Sequence, residues 1–156
     1  MRHLRFVMAV LAALALAGCA PAGGASPSPI ASPMPAAGPG AMVELADSPL
    51  GQILVDGERR TLYGFVPDEE SRESTCYDQC EQNWPPLLVD GELTVGEGLD
   101  RQMFSTVTRT DGSQQVRIGN YPLYYFIGDQ AAEEHNGQGV NDVWYVVGAD
   151  GQLIGR

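Results

Sequence analysis

An internal repeat restricts the fold more than any other feature of this sequence. Residues 62–68 read LYGFVPD and residues 123–129 read LYYFIGD, so the pattern L-Y-x-F-x-x-D occurs twice at an offset of 61 residues. A tryptophan follows each copy, Trp84 sixteen residues after Asp68 and Trp144 fifteen residues after Asp129. Such a repetition predicts two similar half-domains, each built from a hairpin, a loop and a tryptophan.

The segments around the repeats have the composition of short β-strands joined by tight turns. Turn pairs such as Asp-Gly recur about every ten residues, and short runs of β-branched, aromatic and aliphatic residues lie between them. Three hairpins are predicted from this pattern, 53–55 with 61–63, 105–109 with 114–118, and 144–147 with 152–154. One segment, 74–84, has the composition of a short helix, with Thr75 as its expected N-cap and Asp78 three residues later. We therefore expect a mainly β fold: one small domain of antiparallel hairpins with two pseudo-repeats and one short helix, behind a disordered tether.

The first 19 residues have the features of a lipoprotein export signal. Arg2 and Arg5 precede an apolar run from Phe6 to Leu16, which is too short to span a bilayer. Small residues then lead to Cys19, where we expect cleavage and attachment of a diacylglyceryl group to the thiol. An ordinary secretory signal with an incidental cysteine is the alternative. The sequence predicts a signal peptide at 1–18 and a lipid-anchored protein of the cell envelope, in the outer membrane if the host has two membranes.

Composition divides the rest of the chain into a tether and a folded part. Residues 19–41 are, after the cysteine, almost entirely Ala, Pro, Gly and Ser, and such a segment cannot bury a core. Residues 42–156 form the predicted β-rich domain, with repeat halves at about 50–88 and 104–147. Without its signal the chain has seven arginines, no lysine and 20 acidic residues, a formal charge of −13. This charge argues against nucleic acid as a partner and leaves the acyl chains as the expected membrane contact.

The motif side chains are expected to form the core. Tyrosine and phenylalanine two residues apart in a strand point to the same face, and each aspartate is expected to accept backbone hydrogen bonds in the turn that ends its strand. A ligand site built from the paired Asp68 and Asp129 is the alternative interpretation. The residues concerned are Tyr63, Phe65, Asp68 and Trp84 in the first copy and Tyr124, Phe126, Asp129 and Trp144 in the second.

Cys76 and Cys80 are left as a pair once Cys19 is lipidated. In an exported chain an even pair predicts a disulfide, because no cytoplasmic reductant acts on it. Haem attachment requires C-x-x-C-H, which this C-x-x-x-C segment lacks. Zinc prefers four Cys or His ligands, and a redox dithiol favours C-x-x-C in a thioredoxin-like context. A copper site made of both thiolates, His135 and Met103 remains an alternative.

A resemblance covers essentially the whole predicted domain. It rests on segments 50–56 (LGQILVD), 60–68 (RTLYGFVPD), 84–87 (WPPL), 108–116 (TRTDGSQQV), 122–126 (PLYYF), 136–140 (NGQGV) and 144–147 (WYVV), with Cys76, Cys80 and Asp129. These segments resemble the bacterial secreted-repeat lipoproteins, which are named for a motif of tyrosine, any residue, an aromatic, two residues and aspartate. One departure is Asp78, which stands between the cysteines where the family leads us to expect glycine. The resemblance implies an exported, lipid-anchored domain and no particular activity.

The function expected from the sequence is that of a binding or envelope-associated module of unknown molecular activity. The sequence favours a non-enzymatic protein without a cofactor, since it contains no phosphate-binding glycine motif and no nucleophile elbow. The alternative is a redox or copper-handling protein that uses Cys76, Cys80 and His135. The protein or small-molecule ligand is left open.

Overall fold

The structure, a computed structural model, describes residues 40–156. The predicted signal peptide, the lipidation site Cys19 and the tether up to residue 39 lie outside the described residues. The first strand begins at Gly40, two residues before the predicted start of the domain. The elements are β1 (Gly40–Ser48), β2 (Gly51–Asp56), β3 (Tyr63–Phe65), α1 (Asp68–Ser71), α2 (Gln79–Asn83), β4 (Glu92–Val95), β5 (Phe104–Thr108), β6 (Gln114–Ile118), β7 (Tyr121–Pro122) and β8 (Trp144–Val146), with 3₁₀ turns at Arg101–Met103 and Val140–Asp142.

The fold is mainly β and consists of three small sheets. Their strand orders are β2-β1-β4, β3-β8 and β5-β6-β7, and all neighbours are antiparallel except β1 and β4, which run parallel. The hairpin of β5 and β6 is the predicted one, and the predicted turn after β8 closes through a bridge between Val147 and Leu153. No helix within residues 40–156 is long and apolar enough to cross a membrane.

The first predicted hairpin is the smaller part of the pairing of β2. Its main partner is β1, with which it forms six residue pairs around the turn at Pro49 and Leu50. The predicted pairing with the following segment is present as a bridge between Val55 and Thr61, with a backbone hydrogen bond on either side of it. β1 was not predicted from the sequence because this strand directly follows the Pro- and Gly-rich tether. β3 is then free to pair with β8, which belongs to the second repeat.

The predicted helix is shorter than expected and is not capped by Thr75. α2 begins at Gln79, and Asp78 stands at its N-cap position without a side-chain capping bond. The Thr75 hydroxyl donates to Asp68 instead. α2 ends at Asn83, as expected from the proline that follows Trp84. A second short helix, α1, directly follows the first motif.

The two repeats are interleaved through reciprocal backbone hydrogen bonds. Tyr63 and Tyr124 each donate their N–H to the carbonyl of the other at 2.9 Å. Leu87 donates to Leu123 in the second repeat, and Val147 donates to Leu62 in the first. Because each repeat completes the pairing of the other, the two sequence repeats form one structural unit.

The core has two parts, and the second of them holds the motif. The first part is aliphatic and is centred on Leu54, Leu62, Val116, Leu123 and Val147, which are fully buried. The second part is mainly aromatic and contains Tyr63, Cys76, Trp84, Tyr124 and Trp144, with Phe65, Phe126 and Cys80 packed against it while partly exposed. The motif residues therefore meet at the junction between the two repeats.

Candidate functional site at the junction of the two repeats

The motif tyrosines and aspartates pair across the repeats. Tyr63 Oη donates to Asp129 Oδ2 at 2.6 Å, and Tyr124 Oη donates to Asp68 Oδ2 at 2.6 Å. The tyrosine of each copy thus satisfies the aspartate of the other copy. The sequence led us to expect these residues in the core, but it did not predict this exchange of partners.

The second oxygen of each carboxylate holds a loop closed. Asp68 Oδ1 accepts the N–H of Thr75 at 2.9 Å, and Asp129 Oδ1 accepts the N–H of Asn136 at 2.8 Å, seven residues further along the chain in both cases. The predicted backbone hydrogen bonds exist, but the donors lie at the far end of a loop and not in the turn after the strand. Both oxygens of each carboxylate have a donor, so these carboxylates stabilise the fold and do not stand open to a ligand.

Burial keeps the proton of each pair on the tyrosine. Desolvation raises the pKa of Tyr63 and of Tyr124, and the neighbouring carboxylate raises it further. Desolvation also raises the pKa of Asp68 and of Asp129, against the opposing effect of their hydrogen-bond donors. Ionising a tyrosine here would bury a second negative charge beside the first, so neither tyrosine is set up as a nucleophile or base.

Four aromatic rings form a continuous stack beside these pairs. The Trp84 and Trp144 rings are parallel within 2° with centroids 3.9 Å apart. Phe126 stacks on Trp84 at 4.3 Å and Phe65 on Trp144 at 4.2 Å, so each phenylalanine packs on the tryptophan of the other repeat. Trp84 is 5% exposed and Trp144 3%, and buried aromatic pairs each contribute about 0.5–1.5 kcal/mol beyond the area they bury. The four rings therefore hold the repeats together, and the two buried tryptophans offer no open stacking surface.

Arg109 has no counterpart in the other repeat, where Ser48 stands 61 residues earlier in the sequence. It follows β5, and its side chain is only 1% exposed. One terminal nitrogen donates to Ser74 Oγ and Gln115 Oε1, both at 2.7 Å, and the other donates to the Cys76 carbonyl at 3.2 Å and to the Glu81 carboxylate at 2.9 Å. A buried guanidinium with these partners is held rigidly, because its two terminal nitrogens make four hydrogen bonds in a fixed planar geometry.

A chain of hydrogen bonds joins Arg109 to the first motif aspartate. The single hydroxyl hydrogen of Tyr124 goes to Asp68, so the 2.8 Å contact between Tyr124 and Ser74 is a donation from Ser74. Ser74 Oγ in turn accepts from Arg109. The surface carboxylate of Glu81 is thereby linked through Arg109 and Ser74 to the interior of the junction.

A shallow groove of about 450 Å³ lies over Arg109. The Tyr77 ring packs against the Arg109 guanidinium, whose carbon is 4.5 Å from the ring centroid. Hydrogen bonds from Ser113 lower the pKa of Asp111, which is therefore ionised at neutral pH. Three carboxylates surround one guanidinium, so the groove is net negative. Its lining residues are Tyr77, Asp78, Glu81, Arg109, Thr110 and Asp111.

The disulfide lies at the edge of this groove. Cys76 and Cys80 are bonded with their Cα atoms 5.2 Å apart, within the usual range for a disulfide. Cys76 is fully buried and Cys80 is partly exposed. The disulfide is joined to the Arg109 network through Cys76, whose carbonyl accepts a hydrogen bond from Arg109.

The part of the chain that the structure describes shows no set of metal ligands that would support the copper alternative. Within residues 40–156 no group of three or more His, Cys, Asp or Glu side chains is arranged to hold a metal ion. His135 Nδ1 contacts the Glu133 carbonyl in the second loop, and Met103 packs against the aliphatic part of the core.

Two buried polar networks were not predicted from the sequence. One is the Arg109 network, and Arg109 was noted only as part of a resembling segment. The other joins Asp56, Arg60 and Tyr125: Asp56 accepts from Tyr125 at 3.0 Å and from Arg60 Nε at 2.8 Å, and the guanidinium lies over the Tyr125 ring. Tyr125 lies 65 residues after Arg60 and 69 residues after Asp56 in the sequence, so no local sequence pattern reveals this network.

Comparison with known proteins identifies the family. A family model described as a secreted repeat of unknown function matches residues 44–88 and again residues 105–148. No curated protein and no solved structure matches the chain. The two matched segments coincide with the interleaved repeats, so the chain belongs to the family of secreted repeats of unknown function.

Proposed function

We propose that this protein is a lipid-anchored envelope protein whose domain is a non-catalytic binding module. The observation that carries the proposal is the difference between the two repeats. Their shared motif residues are engaged with one another in the interior, whereas the unshared residues around Arg109 form a groove at the surface. The residues that the two repeats share support the fold, and residues in which the repeats differ supply the face for a ligand.

The charge of the groove favours a ligand that carries positive charge. Asp78 and Asp111 are exposed, Glu81 is partly exposed, and Arg109 is already engaged by protein partners. A ligand with ammonium or guanidinium groups would form ion pairs with carboxylates that are exposed to solvent. The overall negative charge of the domain would steer such a ligand toward it.

Binding is tested with a panel of short cationic, neutral and anionic peptides, measured by fluorescence anisotropy on the purified protein. We expect saturable binding of cationic peptides that weakens with salt. The double variant Asp78→Asn, Asp111→Asn should bind about two- to thirtyfold more weakly, since each exposed ion pair contributes about 0.2–1 kcal/mol. The matched control Asp90→Asn, Glu92→Gln removes the same charge from exposed positions outside the groove lining. Equal weakening in both variants would show that binding depends on the general surface charge and not on the groove, which would contradict the proposal.

Lipid anchoring is tested separately on the full chain. The wild-type protein should fractionate with the membrane, and its mass should correspond to a chain that begins at an acylated Cys19. Cys19→Ala should be recovered without acyl mass and away from the membrane, because no other anchor is proposed. In a host with two membranes, the wild type should follow the outer-membrane fraction. Recovery of an unacylated wild-type chain would overturn this part of the proposal.

A further inference from the structure

The disulfide encloses a turn whose backbone conformation suits glycine. Cys80 N–H donates to the Tyr77 carbonyl at 3.0 Å, so residues 77–80 form a hydrogen-bonded turn. Asp78 is the first central residue of this turn and has φ 52° and ψ −119°. These are the angles of the first central position of a type II′ turn, where glycine dominates because a Cβ atom is crowded there.

Asp78 has this strained conformation inside the loop that the disulfide closes. Other non-glycine residues with positive φ, such as Arg72 and Asn141, have ψ values near 18° and lie in the left-handed helical region, which side chains tolerate better. Asp78 lies outside that region, between two bonded cysteines. Strain of this kind persists only where the surrounding structure imposes it, and opening the disulfide would release it.

The same short segment provides most of the environment of Arg109. The Cys76 carbonyl, the Tyr77 ring and the Glu81 carboxylate all contact its guanidinium. The corresponding loop of the second repeat has no disulfide, and Gly137 stands 61 residues after Cys76. The bond is therefore not required to close a loop of this kind.

We propose that Cys76–Cys80 is a reversible redox site that reacts with dithiols, and that its reduction loosens the contacts of residues 76–81 with Arg109. A thiolate of the dithiol attacks the sulfur of the partly exposed Cys80, and Cys76 leaves as a thiolate that takes a proton from water. The second thiol of the dithiol then displaces Cys80 from the mixed disulfide. Two electrons and two protons pass to the chain, and the dithiol becomes a disulfide. The proposal does not depend on the identity or existence of a ligand in the groove.

The role of Asp78 is tested by redox equilibration of the purified mature chain in mixtures of reduced and oxidised dithiothreitol. The reaction is quenched by alkylation of free thiols, and the number of alkylated cysteines is read from the mass of the protein. Asp78→Gly removes the strain from the oxidised form, so its equilibrium constant for reduction should fall by about fivefold or more. Asp78→Ala removes the carboxylate but keeps the Cβ atom, and it should stay within about twofold of the wild type. Equal constants for all three proteins would overturn the proposal, as would a wild-type disulfide that is reduced only when the protein unfolds.

The proposed loosening of residues 76–81 is tested by peptide-level hydrogen exchange on oxidised and reduced wild-type protein. Reduction should lower the protection of residues 72–83, including the helix that contains Cys80. Residues 133–144 of the second repeat are the internal control, because their loop contains no disulfide, and they should keep their protection. Unchanged protection in both segments, or loss of protection in both, would overturn the proposed local loosening.

Discussion

Tyr63 and Tyr124 lie opposite each other at the junction of the repeats, and each donates its backbone N–H to the carbonyl of the other at 2.9 Å. Their side chains then extend to the aspartate of the opposite copy. Backbone and side-chain contacts thus follow the same reciprocal pattern. The stability of the domain should depend on this junction more than on either repeat alone.

Removal of one motif hydroxyl should destabilise the whole domain. Tyr124→Phe leaves an oxygen of the buried Asp68 without its donor, and Tyr63→Phe does the same at the partly buried Asp129, which costs about 1–3 kcal/mol of the free energy of unfolding. Tyr124→Phe should cost more, because Asp68 is fully buried and Ser74 also loses its acceptor. The check is urea unfolding, with Tyr145→Phe as the control at a partly exposed tyrosine of β8. Losses no larger than that of the control would contradict the prediction.

Alkaline pH should unfold the domain steeply. The folded-state pKa of Tyr63, Tyr124 and Tyr125 is raised above the ordinary value of 10.0, mainly by burial. Their contribution to stability is therefore fully present below pH 10 and is lost as the pH rises further, when the unfolded state ionises and the folded state does not. Three such groups give a slope of about −4 kcal/mol per pH unit.

Spectroscopic titration of tyrosine ionisation, followed together with circular dichroism, measures this effect. Those three tyrosines should ionise only in step with the loss of secondary structure. Ionisation of all six tyrosines of the chain while the circular dichroism spectrum is still that of the folded protein would show that the three hydroxyls are accessible to base in the folded state.

Gly137→Ala should disrupt the junction through steric overlap. An added Cβ atom would lie 2.8 Å from the Trp84 ring and 2.8 Å from the Tyr63 ring. Neither ring can move without breaking the stack or the pair with Asp129, so we expect a loss of about 1–3 kcal/mol and an altered near-ultraviolet circular dichroism spectrum. Gly57→Ala is the control, since its Cβ would meet only the exposed Met42 side chain. Equal stability of the two variants would argue against a tight junction.

Arg109→Lys should be far from conservative. Lysine cannot supply the planar set of donors that reaches Ser74, Gln115 and Glu81. We expect a loss of about 3 kcal/mol or more in unfolding free energy, because breaking a buried ionic network leaves groups unpaired. Arg117→Lys on β6, which is partly exposed, should change stability by less than about 0.5 kcal/mol. A small effect at Arg109 would show that the network contributes little to stability.

The sequence predicted local hairpins and turns better than it predicted contacts between residues that are distant in the sequence. The turn at Asp111-Gly112 and the alternating residues beside it predicted the hairpin of β5 and β6, because both signals lie within a few residues. The exchange between Tyr63 and Asp129 spans 66 residues, and the repeat alone does not say whether each copy pairs within itself or with the other. Likewise, nothing local distinguishes Arg109 from the exposed arginines, since its burial follows from where the loop of residues 74–81 lies. The disulfide was predictable because the expected lipidation of Cys19 leaves Cys76 and Cys80 as the only pair of cysteines in the sequence.

The exchange of partners also constrains how the two copies can diverge in evolution. A duplicated segment whose copies fold separately can mutate in each copy independently, so that one copy preserves the old role while the other acquires a new one. Here a substitution at Tyr63 removes the hydrogen-bond donor of Asp129 in the other copy, and a substitution at Tyr124 removes that of Asp68. The four positions should therefore be inherited as two crossed pairs, whereas Asp78 and Asp111, the exposed carboxylates of the Arg109 groove, belong to neither pair and are not bound by this constraint.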